Sequence, residues 1–261
     1  MPLGTALVTG ASSGIGEVFA RRLAQRNWDV VLVARRLDRL EAIAAALTES
    51  YGIKATPLQA DLVDPQAPEA LKEKLGEAEI RVDYLVNNAG LGMGGAFISQ
   101  PYQKIETTLQ LNIAALTKLT YLFLPAMLER KRGFICNVAS TGAFQPVPHF
   151  AVYAATKAYV LHFTEALAEE LAGTGVTASC LCPGATTTEF NDHSGVNSDF
   201  ARFAYQSPEE VVDAAIAGMD RGETVVVPGM LNQVHVGAVR LTPRTVVRKL
   251  AGIIYHRSLQ P

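Results

Sequence analysis

The sequence has only three cysteines in 261 residues, too few for a disulfide framework, which points to a reducing compartment. Cys180 and Cys182 stand two apart in a strand-like stretch with no second Cys or His pair nearby. They read as core-lining thiols, and no metal site is expected. Charge of either sign is not in excess: 23 basic and 25 acidic side chains leave a net charge of -2. No overall basic field exists to attract nucleic acid. Charged residues make up 18% against 49% hydrophobic, which excludes a disordered or solvating chain. No segment approaches the ~18 consecutive apolar residues of a membrane helix. Met1-Pro2-Leu3-Gly4-Thr5 lacks the charged start, apolar run and cleavage site of a signal peptide. Pro/Ser-rich linkers, repeats and low-complexity runs are also missing. The expectation is a soluble, cytoplasmic protein with one domain over residues 1–261, since α/β domains of ~250 residues are ordinary.

What is present is a series of short β-rich apolar runs: Ala6–Val8, Val30–Val33, Tyr84–Val86, Phe134–Val138, Thr177–Leu181 and Thr224–Val227, with Lys54–Ala60 a weaker candidate. They are continuous rather than alternating, so both faces should be buried, as in a parallel sheet. Helical patterns lie between them. Leu37, Leu40, Ile43, Ala44 and Leu47 form one apolar stripe, and 102–129, 153–172 and 208–221 also read as helices. Strand–helix alternation with short connections predicts a doubly wound, Rossmann-type α/β sheet of about seven parallel strands with helices on both faces.

The first strand ends in Thr9-Gly10-Ala11-Ser12-Ser13-Gly14-Ile15-Gly16 and runs into a helix over Glu17–Gln25. Gly10 allows the tight turn, Gly14 a close approach of backbone to a diphosphate, and Gly16 close packing of helix on strand. The helix N-terminus offers N–H groups and a positive dipole end to the phosphates. The spacing is G-x-x-x-G-x-G, and its place in the first strand–turn–helix makes it a nucleotide site. The second strand ends at Ala34-Arg35-Arg36, with no acid until Asp38. An acid there would bind the ribose 2′-OH of NAD, whereas arginine accommodates the 2′-phosphate of NADP. NADP(H) is therefore the expected cofactor. Asp61-Leu62 closes the third strand; Asp61 either accepts from an adenine amino group or caps the next helix. Asn87-Asn88-Ala89-Gly90 closes the fourth, where side-chain amides can tie strands together and line the cofactor cleft.

Tyr153 and Lys157 stand four apart at the start of an apolar-periodic helix. That spacing puts both on one face, with about 6 Å of axial rise between them. A lysine cation favours the phenolate and draws the tyrosine towards the working pH of a general acid/base. Ser140, just after the strand Phe134–Val138, carries a hydroxyl able to bond a substrate oxygen.

Taken together, Thr9–Gly16, Asn87–Gly90, Asn112, Ser140, Tyr153, Lys157 and Pro183-Gly184 resemble the motif set of the short-chain dehydrogenase/reductase family, in order and in spacing, over roughly residues 4–229. The resemblance implies a Rossmann fold binding NAD(P)(H) and hydride transfer to or from a carbonyl/alcohol carbon. It implies that Tyr153 is the acid in reduction and the base in oxidation. Lys157 lowers the tyrosine pKa and holds the nicotinamide ribose hydroxyls. Ser140 orients the substrate oxygen, and Asn112 holds a water linking Lys157 to solvent. Pro183, Gly184, Thr186 and Thr188 resemble the segment that fixes the nicotinamide carboxamide. Without the resemblance, Asn112 reads as a polar residue facing out of a helix.

Three stretches should line the substrate pocket: Leu91, Met93 and Phe97; Phe144, Val147 and His149; and 189–207 with Phe190, His193, Phe200, Phe203 and Tyr205, as a mobile lid. The apolar lining suits a medium-sized ketone, aldehyde or ketoacyl compound. The leading reading is an NADPH-dependent carbonyl reductase, forming a homo-oligomer. Alternatives are an alcohol or steroid-type dehydrogenase working oxidatively and a non-catalytic NADP-binding sensor or scaffold. The family pattern is exceeded at the C-terminus, where residues 224–261 hold Arg240, Arg244, Arg248, Lys249 and Arg257 and no Asp or Glu. Thr242-Pro243 reads as N-cap and first position of a helix, with a stripe of Val246, Val247, Leu250, Ile253 and Ile254. That stripe packs on its own domain, covers a subunit partner, or lies on an anionic membrane.

Overall fold

Each continuous apolar run becomes a strand because helices cover both of its faces. The computed structural model describes residues 2–189 and 205–258, with side chains at the C-terminal end as far as Ile253. Strands β1 (Thr5–Thr9), β2 (Asp29–Ala34), β3 (Ala55–Gln59), β4 (Val82–Asn87), β5 (Gly133–Val138), β6 (Val176–Leu181) and β7 (Val225–Val226) form one sheet. The order is β3-β2-β1-β4-β5-β6-β7, and every pairing is parallel. Successive residues of a strand point to opposite faces. Ala6, Val8, Val30 and Leu32 pack with Phe19 and Leu23 of α1 (Gly14–Gln25), Leu40 of α2 (Leu37–Tyr51) and Val211 of α7 (Pro208–Asp220). Leu7, Val31, Val33, Leu85 and Ile135 pack on the other side with Leu71 of α3 (Ala67–Glu77), Leu119 and Met127 of α5 (Leu116–Glu129) and Leu167 of α6 (Ala151–Glu170). Chain order reverses between β1 and β4, which opens a crevice at the strands' carboxyl ends, where ligands of such sheets bind.

The expected helix over 102–129 is present but interrupted. It consists of α4 (Tyr102–Leu109), one wide π turn (Gln110–Ala115) and α5. Among the described residues this run is long and apolar enough, by length and composition, to cross a membrane. The count of unbroken apolar residues misses it because Asn112, Thr117, Lys118 and Thr120 interrupt the run. Leu119, Phe123 and Met127 are nonetheless buried against the sheet.

The two ends of the expected lid are laced together. Gln206 donates its N–H to Ala185 O at 2.9 Å and accepts from Thr187 N at 3.0 Å. Phe190 and residues 190–204 of that lid lie outside the described residues. Helix α7 then starts on a capping box: Ser207 Oγ accepts from Glu210 N, and Glu210 Oε2 accepts from Ser207 N.

After β7 the chain forms two further helices, α8 (Met230–Leu241) and α9 (Arg244–Ser258). Thr242 does not cap the second. Its hydroxyl donates to Ala238 O at 2.7 Å, satisfying a carbonyl at the end of α8. The first turn of α9 closes on Pro243 O instead, which accepts from Val246 N and Val247 N.

Candidate active site

The glycine turn is built around two left-handed residues and one steric necessity. Gly10 has φ +66° and Gly14 φ +57°, a region in which a side chain is strained. Gly16 has an ordinary backbone, but a Cβ there would lie 2.3 Å from Gly10 O. Thus only glycine lets α1 start this close to β1. Asn88 secures the turn from the neighbouring strand, its Nδ2 donating to Thr9 O at 2.9 Å and Gly10 O at 3.3 Å. Thr9 Oγ1 receives Asn88 N and Ala89 N. The Ser13 side chain makes no cap on α1, so among the described residues no side chain caps the first turn at Gly14, Ile15 and Gly16. A Cβ on Gly14 would meet Thr188 Cγ2 at 3.0 Å, so the segment after β6 closes over the turn. A bare, positively poised helix start under a small-residue cradle fits a dinucleotide's diphosphate.

The Ser13 hydroxyl oxygen is instead turned to Arg36. Arg36 Nη2 donates to Ser13 Oγ at 3.0 Å and Ser12 Oγ at 2.9 Å, and Nε donates to Ser12 Oγ at 3.2 Å. Nη1 reaches the Glu189 carboxylate at 2.9 Å, and Arg39 Nη1 holds the other oxygen at 2.6 Å. Hydrogen bonds from Arg39 and Arg36 bring the Glu189 pKa down to about 2. The two expected arginines therefore differ. Arg36 belongs to this anion-holding cluster, whereas Arg35 is exposed and its carbonyl accepts from Gln59 Nε2. Sequence reasoning missed Arg39 and Glu189. Arg39 carries a local signal, one turn along α2 from Arg36; Glu189, far off in the chain, carries none.

Asp61 is not a helix cap. It forms a tight turn in which Oδ1 accepts from Val63 N at 3.1 Å, and α3 begins only at Ala67. Leu62 is buried. Asn87 is buried too and ties elements together. Its Nδ2 donates to Asn137 Oδ1 on β5 and Thr120 Oγ1 on α5. Gly90 borders Asn112 and Lys157 directly. A Cβ there would lie 3.3 Å from Asn112 Oδ1 and 3.4 Å from Lys157 Nζ.

Lys157 Nζ donates to Val138 O at 2.8 Å, at the end of β5, and stands 5.8 Å from the Tyr153 ring centre. Burial lowers the Lys157 pKa from its ordinary value to about 8. The native state therefore binds fewer protons here than the unfolded chain between about pH 8 and 10.5, and in that window stability rises with pH. Asn112 is buried, not outward-facing. Its Oδ1 accepts from Leu91 N, and Nδ2 donates to Leu91 O and to Thr156 Oγ1, which itself donates to Tyr153 O. Thr156 was not foreseen. The π turn carrying Asn112 takes backbone carbonyls out of the α-helical ladder. Ser140 Oγ accepts from Gly142 N at 3.1 Å, which leaves its hydroxyl hydrogen to donate elsewhere. Thr141 N donates to Pro183 O, so the Ser140 turn and the Pro183-Gly184 segment are one ledge. Thr186 Oγ1 donates to Gly184 O.

Met93 and Val147 are buried, and Gly95 N donates to His149 O at 2.8 Å, joining two of the stretches expected around the substrate. Phe97 is exposed. Phe144 packs against the buried cluster that contains Ala143, Val160 and Cys180, with the Arg240 guanidinium 5.6 Å from its ring centre, so it links the Ser140 turn to α8. A separate cavity of about 500 Å³, lined by Ala217, Val227, Val236 and Arg240 among others, lies between α7, β7 and α8.

Residues 4–199 match the short chain dehydrogenase family. The chain belongs to the short-chain dehydrogenase family. Among its relatives, human 17-beta-hydroxysteroid dehydrogenase type 3 is 36% identical over 74% of this chain and 62% of its own length. Hydroxysteroid dehydrogenase-like protein 1 of Gallus gallus is 34% identical over 81% of this chain and 64% of its own. The match thus spans less than two thirds of those two relatives. A solved short-chain dehydrogenase from Sphingobium yanoikuyae in complex with NADPH is 36% identical, with a TM-score of 0.83 over 92% of this chain and 96% of that one. The bulky-bulky ketone specific alcohol dehydrogenase from Comamonas testosteroni is 32% identical, with a TM-score of 0.79 over 94% and 96%.

The glycine geometry gives a paired test. Gly16→Ala forces a Cβ against Gly10 O and is expected to weaken dinucleotide binding at least about tenfold and to lower the melting temperature. Gly76→Ala, on α3 with nothing near its Cβ position, should leave dinucleotide affinity unchanged in the same titration.

Proposed function

We propose that this dehydrogenase is an NADP(H)-dependent oxidoreductase whose main direction is reduction of a medium-sized apolar ketone, aldehyde or ketoacyl compound. The observation that carries the reading is the convergence at Gly90. Asn112 and Lys157 meet there, one residue beyond the Asn88-Ala89 pair that secures the glycine turn. The relatives and the NADPH-bound neighbour support the class of chemistry.

When bound, the nicotinamide supplies the hydride. The chain's own residues do the rest. As the substrate carbonyl oxygen gains negative charge, hydrogen bonds from the Ser140 and Tyr153 hydroxyls stabilise it. Tyr153 gives up its proton to that oxygen, and the Lys157 ammonium steadies the phenolate left behind. Lys157 stays largely protonated below its value of about 8. Both amide hydrogens of Asn112 are engaged, with Leu91 O and Thr156 Oγ1, and Oδ1 accepts from Leu91 N, so a water linking Lys157 to solvent donates to the second lone pair of Oδ1 or to carbonyls of the π turn.

NADP preference rests on the Arg36 cluster. Arg36 and Arg39 already hold a carboxylate of the chain itself, with Ser12 and Ser13 accepting from Arg36, and an anion of the ligand satisfies the same arginine donors. The 2′-phosphate then competes with Glu189. The hydroxysteroid relatives favour one second reading, an alcohol dehydrogenase acting oxidatively. Comparing NADPH plus ketone with NADP⁺ plus the matching alcohol separates the two.

With a panel of ketones of graded size, the purified protein should oxidise NADPH. Tyr153→Phe should lower turnover by about 10²–10⁴-fold while NADPH fluorescence still reports binding. Undiminished turnover removes Tyr153 from the mechanism. Arg36→Ala should weaken NADPH, but not NADH, by about tenfold or more, the loss of one charged hydrogen bond, and Arg35→Ala should do much less. Glu189→Gln should tighten NADPH and leave NADH unchanged. Equal effects on both cofactors contradict the 2′-phosphate role.

A further inference from the structure

Pro183, Gly184 and Ala185, just after β6, carry no side-chain group able to form a hydrogen bond, so their neighbours set where this segment lies. The segment runs from the Ser140 turn to the glycine turn. At one end Thr141 N donates to Pro183 O at 2.8 Å. At the other, a Cβ on Gly14 would meet Thr188 Cγ2 at 3.0 Å. Between them the segment is tied to Gln206 through backbone alone, Gln206 N donating to Ala185 O and Thr187 N donating to Gln206 O. Ala185 and Thr187 are exposed, and a ladder of two hydrogen bonds at the surface holds little by itself.

Asn232 supplies further support. It stands in the first turn of α8, which follows β7 through Gly229 at φ +82°. A Cβ on Gly184 would lie 2.5 Å from both Asn232 Nδ2 and Oδ1, so the amide faces the glycine with both heteroatoms and leaves no room for a side chain. Its Nδ2 donates to Gln206 Oε1 at 2.9 Å and to Pro228 O at 2.8 Å. One amide therefore meets the segment at Gly184, its ladder partner Gln206 and the chain just after β7. The helix behind it is anchored: Val236 is buried, α8 packs on the Thr141–Phe144 turn, and the Arg240 guanidinium stands 5.6 Å from the Phe144 ring centre. Asn232 lies beyond residues 4–199, which match the family, so this support comes from outside the shared motifs.

We propose that Asn232 is a positioning residue for the dinucleotide, fixing the Pro183–Thr188 segment along the cleft through Gly184 and Gln206. The inference rests on the proposed function only in taking a nicotinamide dinucleotide as the occupant of the cleft. Asn232 acts through the segment. Without its amide the backbone ladder to Gln206 is still possible, but nothing ties that ladder to α8 and the end of β7. Binding then has to order the segment, and the ordering cost weakens affinity. NADPH and NADH share every part that the segment spans, so both lose alike.

Amide hydrogen exchange and dinucleotide titration of the full chain test it together. In cofactor-free Asn232→Ala, the Thr187 and Gln206 amide hydrogens should exchange at least about tenfold faster than in the wild type. NADPH and NADH should each bind about tenfold more weakly by fluorescence titration, a shared loss that separates Asn232 from Arg36. Gln206→Leu keeps the backbone bonds to Ala185 and Thr187 but no longer accepts from Asn232 Nδ2, and it should reproduce both effects. The two substitutions combined should add little to either alone, because they break one link. Gln206→Glu keeps an oxygen that accepts from Asn232 and should hold exchange and affinity within about twofold of the wild type. Unchanged exchange in Asn232→Ala overturns the inference, as does faster exchange with undiminished affinity. Equal losses in Gln206→Glu and Gln206→Leu overturn it too, since a merely structural effect of altering residue 206 would not follow its acceptor. A wild-type chain that binds neither cofactor overturns the proposed function instead, and the exchange rates alone then decide whether Asn232 holds the segment.

Discussion

An ammonium held out of water at the carboxyl ends of the central strands is the constraint on which the rest of the site depends. Lys157 reaches that place from α6 because Val138 O, the last carbonyl of β5, receives it. A buried cation is costly unless its protons are satisfied, so its surroundings are polar and closely fixed. Gly90 leaves room for it, Asn112 stands beside it, and Asn112 is locked by both backbone groups of Leu91 and by Thr156. The same helix that delivers the ammonium presents Tyr153 one turn earlier. Geometry of the phenol is thus inherited from the lysine's anchorage rather than set separately.

A second knot of polar contacts joins that centre to the glycine turn. Thr9, Asn88 and Ala89 connect the ends of β1 and β4, and Asn87, Asn137 and Thr164 continue the connection through β5 to α6. These bonds fix the strand ends that flank the crevice. The glycine turn and the Lys157–Asn112 centre are consequently parts of one rigid ledge, while the segment after β6 closes over the turn at Thr188.

Legibility from sequence followed the range of the interactions involved. The strands were readable because burial on both faces leaves a continuous apolar run, and the pair Tyr153 and Lys157 because one helical turn is a local pattern. Glycines 10, 14 and 16 were readable for the same reason, and the close helix–strand packing expected of Gly16 is the one that leaves no room for a Cβ beside Gly10 O. The Arg36–Glu189 pair spans 153 residues and left no local trace. Asp61 and Thr242 were misjudged as possible caps since each has a nearer backbone partner, Val63 N and Ala238 O. Asn112 looked outward-facing because a π turn shifts the helical phase on which such a reading relies. The C-terminal stripe was visible as a pattern, but its direction was set by tertiary contacts of Val247 and Ala251.

The buried ammonium can be observed directly by NMR of protein labelled at lysine side chains, with Lys157→Met identifying the Lys157 signal. The account predicts that this signal titrates at about pH 8 in the cofactor-free protein, well below the other lysines. A midpoint at the ordinary lysine value of about 10.4 would mean that the group lies in water, and the central claim would be wrong.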